Sequence, residues 1–297
     1  MRAVLAADKR LTQASIAREC GVAGSSVNQW LAGKYAGDNA ALETVFLRWL
    51  NARAERQQVM RDLPTAPDYA PTPTGEKIMR ALKFAQFGAD VVIVYGAAGV
   101  GKTSTVNHYA ASMPSVFIAT MTPATAGVVP ALEEIAHAVG ADTTAGGAAR
   151  LHHSIVARLR ATNGLMIVDE AQHLNPAALD QIRAIHDATG VGLALVGNEY
   201  VYTRMTGGTR AASFDRLFSR VGKRVRITGA AVGDVDALAD AWAIEDRDSR
   251  ALLAKIGGEA GGLRSVTKVL RMAFAGAKKK PSTADIAGAW RELGGGA

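Results

Sequence analysis

Apolar positions recur at helical spacing through the first sixty residues, and in "LTQASIARECGVAGSSVNQWLAGKY" (11–35) they resolve into two helices. Ala14, Ile16 and Ala17 mark the first helix and Val27, Trp30 and Leu31 the second, with a break at "CGV" between them. The segment "RDLPTAPDYAPTPTG" (61–75) then packs in four prolines with almost no aliphatic content, which predicts a linker stiffened towards polyproline II. Beyond it the period changes. Short apolar runs, "VVIVY" at 91, "SVFIAT" at 115, "LMIVD" at 165, "GLALVG" at 192 and "KRVRI" at 223, alternate with helical patterns. That alternation demands crossover connections and therefore a mostly parallel sheet covered by helices. After Thr228 the strands stop, and "DVDALADAWAI", "DSRALLAKI" and "LRSVTKVLRMAFAGA" predict a small helical bundle. The expected divisions are 1–62 helical, 63–74 linker, 75–228 α/β and 229–297 helical.

A chain of 297 residues, 48% hydrophobic and 21% charged, has the composition of a globular protein with room for about two domains. Its formal charge of +7 favours an anionic partner, nucleic acid first. The one cysteine, Cys20, rules out an internal disulfide and reads as a small buried residue in a reducing compartment. "MRAVLAADKRLTQ" has too short an apolar run for a signal peptide, and no membrane-length apolar stretch occurs, so the expected location is cytoplasmic, away from any membrane.

The chemistry is concentrated where strands end. "GAAGVGKT", Gly96 to Thr103, satisfies G-x-x-x-x-G-K-[ST] between a strand and a helix. Gly96, Ala97, Ala98, Gly99, Val100 and Gly101 can turn backbone N–H groups inward around phosphate oxygens. Lys102 reaches the outer phosphates, Thr103 offers a hydroxyl to Mg²⁺, and Ser104 is a further nucleotide-binding candidate in the helix that adds its positive end. In "LMIVDEAQHL" Asp169 emerges from a buried strand to hold Mg²⁺, and Glu170 beside it orients and polarises the attacking water. "GLALVGNEY" brings Asn198 to the same sheet edge, where its amide either bonds the attacking water and outermost phosphate or caps a loop. Arg210, Arg216 and Arg220 follow; phosphoryl transfer gains from a cation supplied by a neighbouring subunit, with Arg220 the first choice and Arg216 the second.

The succession "GAAGVGKT", "LMIVDEAQ", "LVGN" and "DRLFSR", ahead of an all-helical tail, resembles the AAA+ ATPases over residues 75–297. The resemblance implies a parallel five-stranded sheet with a helical lid at 229–297, ATP and Mg²⁺ as cofactors, and a ring or filament in which one subunit's arginine completes its neighbour's site. "GGLRSVTKVLR" is similar to the family's second sensor region, so that Arg264 is either a phosphate contact or a structural arginine.

At the other end, Gly21 stands where the turn of a helix-turn-helix requires positive φ, and Ser25, Ser26, Asn28 and Gln29 offer short polar side chains to a DNA groove. This resembles repressor-type helix-turn-helix domains, with a small protein-binding module as the alternative. Residues 1–61 carry nine basic and five acidic side chains, a net +4 that suits DNA. Taken together, the two halves are similar to the B-protein family of phage Mu-type transposition. That implies ATP-dependent, non-specific binding of double-stranded DNA, assembly as a helical filament or ring, selection of target DNA and activation of a transposase. A helicase-loading ATPase and an ATP-sensing transcription regulator are the alternatives. Arg80, Lys83, Arg150, Arg158 and Lys223 are unranked DNA contacts, and the lysine run at 278–280 is a solvated helix end or a phosphate contact.

Overall fold

In the computed structural model, the described residues are 1–8, 11–62, 67–144, 146–201, 219–277 and 280–295, with backbone alone described for 57–62. The chain divides into two compact units, Met1–Thr65 and Ala66–Ala297.

The first unit is helical: α1 (Arg2–Ala7), α2 (Gln13–Cys20), α3 (Gly24–Leu31) and α4 (Asn39–Asp62). Thr12 caps α2 in a reciprocal box with Ser15. Gly21 ends it at φ 67°, a left-handed conformation that costs glycine little and lets the chain turn at once into α3. Ile16, Ala17, Val27, Leu42 and Phe46 are buried, and Trp30 meets Phe46 edge-on at 4.7 Å between ring centroids. One expectation needs correcting: Cys20, at the helix end, is half-buried rather than enclosed.

The second unit begins with α5 (Pro73–Gly88) and carries β1 (Val91–Gly96), α6 (Lys102–Ser112), β2 (Val116–Thr120), α7 (Val128–Val139), α8 (Ala148–Leu159), β3 (Leu165–Asp169), α9 (Pro176–Thr189), β4 (Gly192–Gly197) and β5 (Val221–Ile227). The five strands form one parallel sheet in the order β2-β3-β4-β1-β5. Alternate residues of each strand feed opposite layers. Val91, Ile93, Met166, Val168, Leu193 and Leu195 pack with α7, α8 and α9, while Val92, Val94, Ile167, Ala194, Val196 and Val225 pack with α5 and α6. Burial on both faces explains why the central strands are unbroken apolar runs rather than alternating ones.

Four more helices, α10 (Asp234–Ala241), α11 (Arg247–Gly258), α12 (Gly262–Gly276) and α13 (Thr283–Glu292), share a core of their own around Leu253, Ile256, Val266, Val269, Leu270 and Ile286. The last of them opens with a capping box between Ser282 and Asp285.

The proline-rich segment is divided by the structure. Its second part belongs to the α/β unit. Thr72 caps α5, Pro73 occupies that helix's first turn, and Tyr69 stacks on His108 with centroids 3.8 Å apart. Thr74 is buried against Asp234, at the start of α10. Prolines in sequence signal a stiff chain; whether that chain is free or docked depends on partners far away in sequence.

Candidate nucleotide site

The loop between β1 and α6 is built around three glycines with positive φ: Gly96 at 131°, Gly99 at 74° and Gly101 at 86°. Side chains could not replace two of them. A Cβ at Gly96 would collide with the carbonyl oxygen of Ile227, and one at Gly99 with that of Gly261. The backbone is therefore bare by necessity, and Gly101 delivers the chain into the first turn of α6. Val100 turns its side chain into the core and contributes only backbone. Lys102 folds back over the loop, donating from Nζ to the carbonyls of Gly96 (3.0 Å) and Ala97 (2.6 Å). Burial pulls its ammonium below the usual lysine value, and Glu170 and Asp169 partly oppose that shift. A cation thus waits where phosphate oxygens would gather.

The acidic pair faces this loop. Asp169 closes β3 and is buried; its Oδ2 accepts from Thr103 Oγ1 at 2.9 Å and its Oδ1 from the Glu170 N–H at 2.9 Å. Burial pushes its carboxyl upward from the ordinary value, while those two hydrogen bonds pull it down. Glu170 takes φ 54°, a left-handed conformation that is uncommon for glutamate and swings the chain off the strand into a single 3₁₀ turn. Its carboxylate accepts from Gln172 Nε2.

Glu170, Lys102 and Thr103 line a cleft of about 570 Å³ together with Ser104, Gly197, Asn198 and Arg264. The base of α12 rests on the phosphate loop, where the Arg264 N–H donates to Gly99 O at 3.3 Å. Tyr69, Leu238, Trp242 and Leu263 make the far wall apolar. The residues fit a nucleoside triphosphate with its cation: bare backbone and a lysine for phosphate, a hydroxyl and a carboxylate for a hard divalent ion, and an apolar wall for a base.

Two family matches fall within the second unit. The AAA domain family matches residues 85–205, and the family described as Mu B transposition protein, C terminal, matches residues 219–293. The chain is 35% identical to the ATP-dependent target DNA activator B of Escherichia phage Mu over 269 residues, which cover 91% of this chain and 85% of that protein. The chain belongs to the Mu B family of transposition proteins. Haemophilus influenzae carries another relative, the Mu-like prophage FluMu DNA transposition protein B, 35% identical over 88% of this chain and 91% of its own. Among solved structures, Cdc6p from Pyrobaculum aerophilum superposes with a TM-score of 0.55 at 17% identity, covering 76% of this chain and 69% of that one, a likeness of fold.

Within this Mu B-family chain the sequence-derived residues divide into those the fold gathers and those it does not. Gly96 to Gly99, Gly101 to Ser104, Glu170, Asn198 and Arg264 line the cleft or the pocket that shares Ala98 and Asn198 with it, and Asp169 is bonded to Thr103 beside them. The Asn198 side-chain oxygen accepts from the Tyr200 N–H at 2.9 Å, so the amide caps its own turn while lining the cleft. Arg220 stands just before β5, where Val221 pairs with Val91 at the start of β1, the opposite end of the strands from Gly96. There it pairs with Asp187 at 3.3 Å and is more than half exposed. It does not serve the site of its own chain. Arg210 and Arg216 lie outside the described residues.

On α3, Ser25, Asn28 and Gln29 are exposed and Ser26 is half-buried. Among the other basic residues, Arg80 pairs with Glu76 at 3.7 Å, Arg158 donates to Val139 O at 3.1 Å, and Lys223 lies over the Phe84 ring at 5.8 Å. Among the described residues, no helix is long and apolar enough to cross a membrane. The sequence reading missed Gln172, the Tyr69–His108 stack, and Trp242 with the rest of the apolar wall. For Gln172 a signal was present, its place two residues after Glu170; for the others none was.

Removing the lysine should be costly. Lys102→Ala forfeits a charge-assisted contact to phosphate, and ATP affinity should fall by about 10- to 100-fold in an equilibrium titration. Affinity within twofold of the parent would show that the loop is not the phosphate site.

Proposed function

We propose that this protein is an ATPase that binds double-stranded DNA in its ATP state, assembles along it, and presents it as target to a transposase. The observation that carries the reading is the convergence of Lys102, Thr103, Glu170 and Arg264 of the lid on one cleft, with Asp169 bonded to Thr103, in a chain of the Mu B family. The relatives' names speak of target DNA activation and of DNA transposition.

ATP is the substrate. Lys102 and the loop amides bind its phosphates, and Thr103 with Asp169 would hold Mg²⁺. When bound, that ion spreads and neutralises phosphate charge. Glu170 accepts the proton of the attacking water, Asn198 orients that water against the outermost phosphate, and Arg264 approaches from the lid. Arg220, remote from its own cleft and exposed, acts in a neighbouring subunit's site, with Arg216 on the same segment as its companion. Such an arrangement makes ATP a bridge between copies, and the copies form a ring or helical filament.

Assembly explains how a modest charge binds DNA strongly. Each copy contributes a few phosphate contacts, and linking copies multiplies weak contacts into a stable array. Ser25, Ser26, Asn28 and Gln29 add a groove contact from the first unit. Hydrolysis removes the bridge and loosens the array.

ATP should therefore raise apparent affinity for duplex DNA by about 100-fold or more, with log affinity falling steeply against log salt. Anisotropy titrations at several salt concentrations, with ATP and without nucleotide, measure both quantities. Equal binding with and without ATP would remove the mechanism.

A further inference from the structure

We infer that Gln172 is a positioning residue for ATP hydrolysis, holding the Glu170 carboxylate in register with the end of β4. Gln172 sits on the 3₁₀ turn that follows the acidic pair and is half-buried beneath the cleft. Both ends of its amide are engaged. Nε2 donates to Glu170 Oε2, and Oε1 accepts from the Asn198 N–H at 3.3 Å. One side chain thereby spans the ends of β3 and β4, the two strands that deliver the water-activating carboxylate and the phosphate-facing amide.

Space for this bridge is made by Gly197. A Cβ there would overlap Gln172 Oε1 as well as the Val201 side chain, so a side chain at 197 would evict the amide. The chemistry at position 172 is equally constrained. An apolar residue would leave the Asn198 N–H without its partner, and a carboxylate would set two negative charges against each other at Glu170.

The need for such a brace follows from the backbone. Glu170 lies past the end of the strand in a left-handed conformation, so the ladder does not restrain it, and its terminal torsion is broad and roughly two-fold. Donation to Oε2 restricts the carboxylate plane, which leaves Oε1 as the oxygen to take the proton in the proposed reaction. Gln172 bonds the Glu170 carboxylate and does not itself line the cleft, so its effect is on orientation, and misplacement of about 1 Å costs on the order of 100-fold in rate.

The inference rests on Glu170 being the base, and the test separates the two. Steady-state ATP hydrolysis by the full chain is measured with duplex DNA for Gln172→Ala and Gln172→Met, each alone and combined with Glu170→Gln. Methionine keeps the length and packing of glutamine and removes only the amide. Both single variants should lose kcat by about 10- to 100-fold with KM for ATP within about twofold of the parent, and neither should lower the rate of Glu170→Gln further. Unchanged KM also reports an intact fold at the site. A parental kcat in either variant, a KM rise with kcat preserved, or a loss that multiplies with that of Glu170→Gln would each overturn the inference. A Glu170→Gln chain that hydrolyses normally would overturn the base assignment as well, whereas sensitivity to Glu170→Gln with indifference to both Gln172 variants overturns the inference alone.

Discussion

Replacing Glu170 with glutamine should lower ATP turnover by about 100- to 10,000-fold while leaving ATP affinity close to that of the parent chain. The substitution preserves size and one carbonyl oxygen, so Asp169, Thr103 and Lys102 stay in place. Only the ability to take up a proton is lost. Oε2 of Glu170 already accepts from Gln172, and a carboxamide at 170 can keep that contact by presenting its oxygen. Loss of turnover with binding retained is the signature of a group needed in the transition state. The same variant should persist on DNA, because the step that ends assembly is blocked. Phosphate release and DNA dissociation after dilution, measured in parallel, check both parts. Turnover within threefold of the parent would place the base elsewhere.

The second large effect should fall on stability. Asp234, at the first position of α10, is fully buried. Its Oδ1 accepts from the Thr74 N–H at 2.8 Å; its Oδ2 accepts from Thr74 Oγ1 at 2.6 Å and from the Ala231 N–H at 2.6 Å. Three donors converge on one carboxylate, pinning the start of the lid to the start of α5 across 160 residues of chain. Asp234→Ala removes the acceptor of all three and strands the two Thr74 donors in a buried site, and unfolding free energy should drop by about 3–5 kcal/mol. Asp234→Asn keeps one acceptor but turns an amide N–H towards a donor, so an intermediate loss is expected. Urea denaturation of both variants gives the order. Because Tyr69, Leu238 and Trp242 wall the cleft on either side of this pin, the alanine chain should also bind ATP more weakly. A loss below about 1 kcal/mol would mean that water replaces the carboxylate and that the pin is dispensable.

The residues differ in how openly they announced themselves. The phosphate loop was legible because its chemistry is local: glycine spacing, a lysine and a hydroxyl sit within eight consecutive residues between a strand and a helix. Asp169 and Glu170 were legible for a related reason, since a buried strand that ends in carboxylates places them at the ligand edge of a parallel sheet. Gln172 was printed in the same stretch, yet nothing local reveals that its amide reaches both Glu170 and the end of β4, because the second partner depends on strand order. Arg220 shows the converse. Its residue type suggested phosphoryl transfer, and only the sheet register reveals that it stands at the far end of the strands from Gly96.

Periodicity and motif spacing alone were enough to determine a doubly covered parallel sheet, a helical tail and a nucleotide loop, since hydrophobic period and backbone freedom are properties of neighbouring residues. Tertiary structure alone decided that part of the proline-rich segment docks onto the α/β unit, that Asp234 holds Thr74, and that one glutamine amide joins Glu170 to Asn198. Each of those contacts joins residues whose proximity is created by strand order and helix packing, and no local pattern encodes a distance that only the folded chain defines.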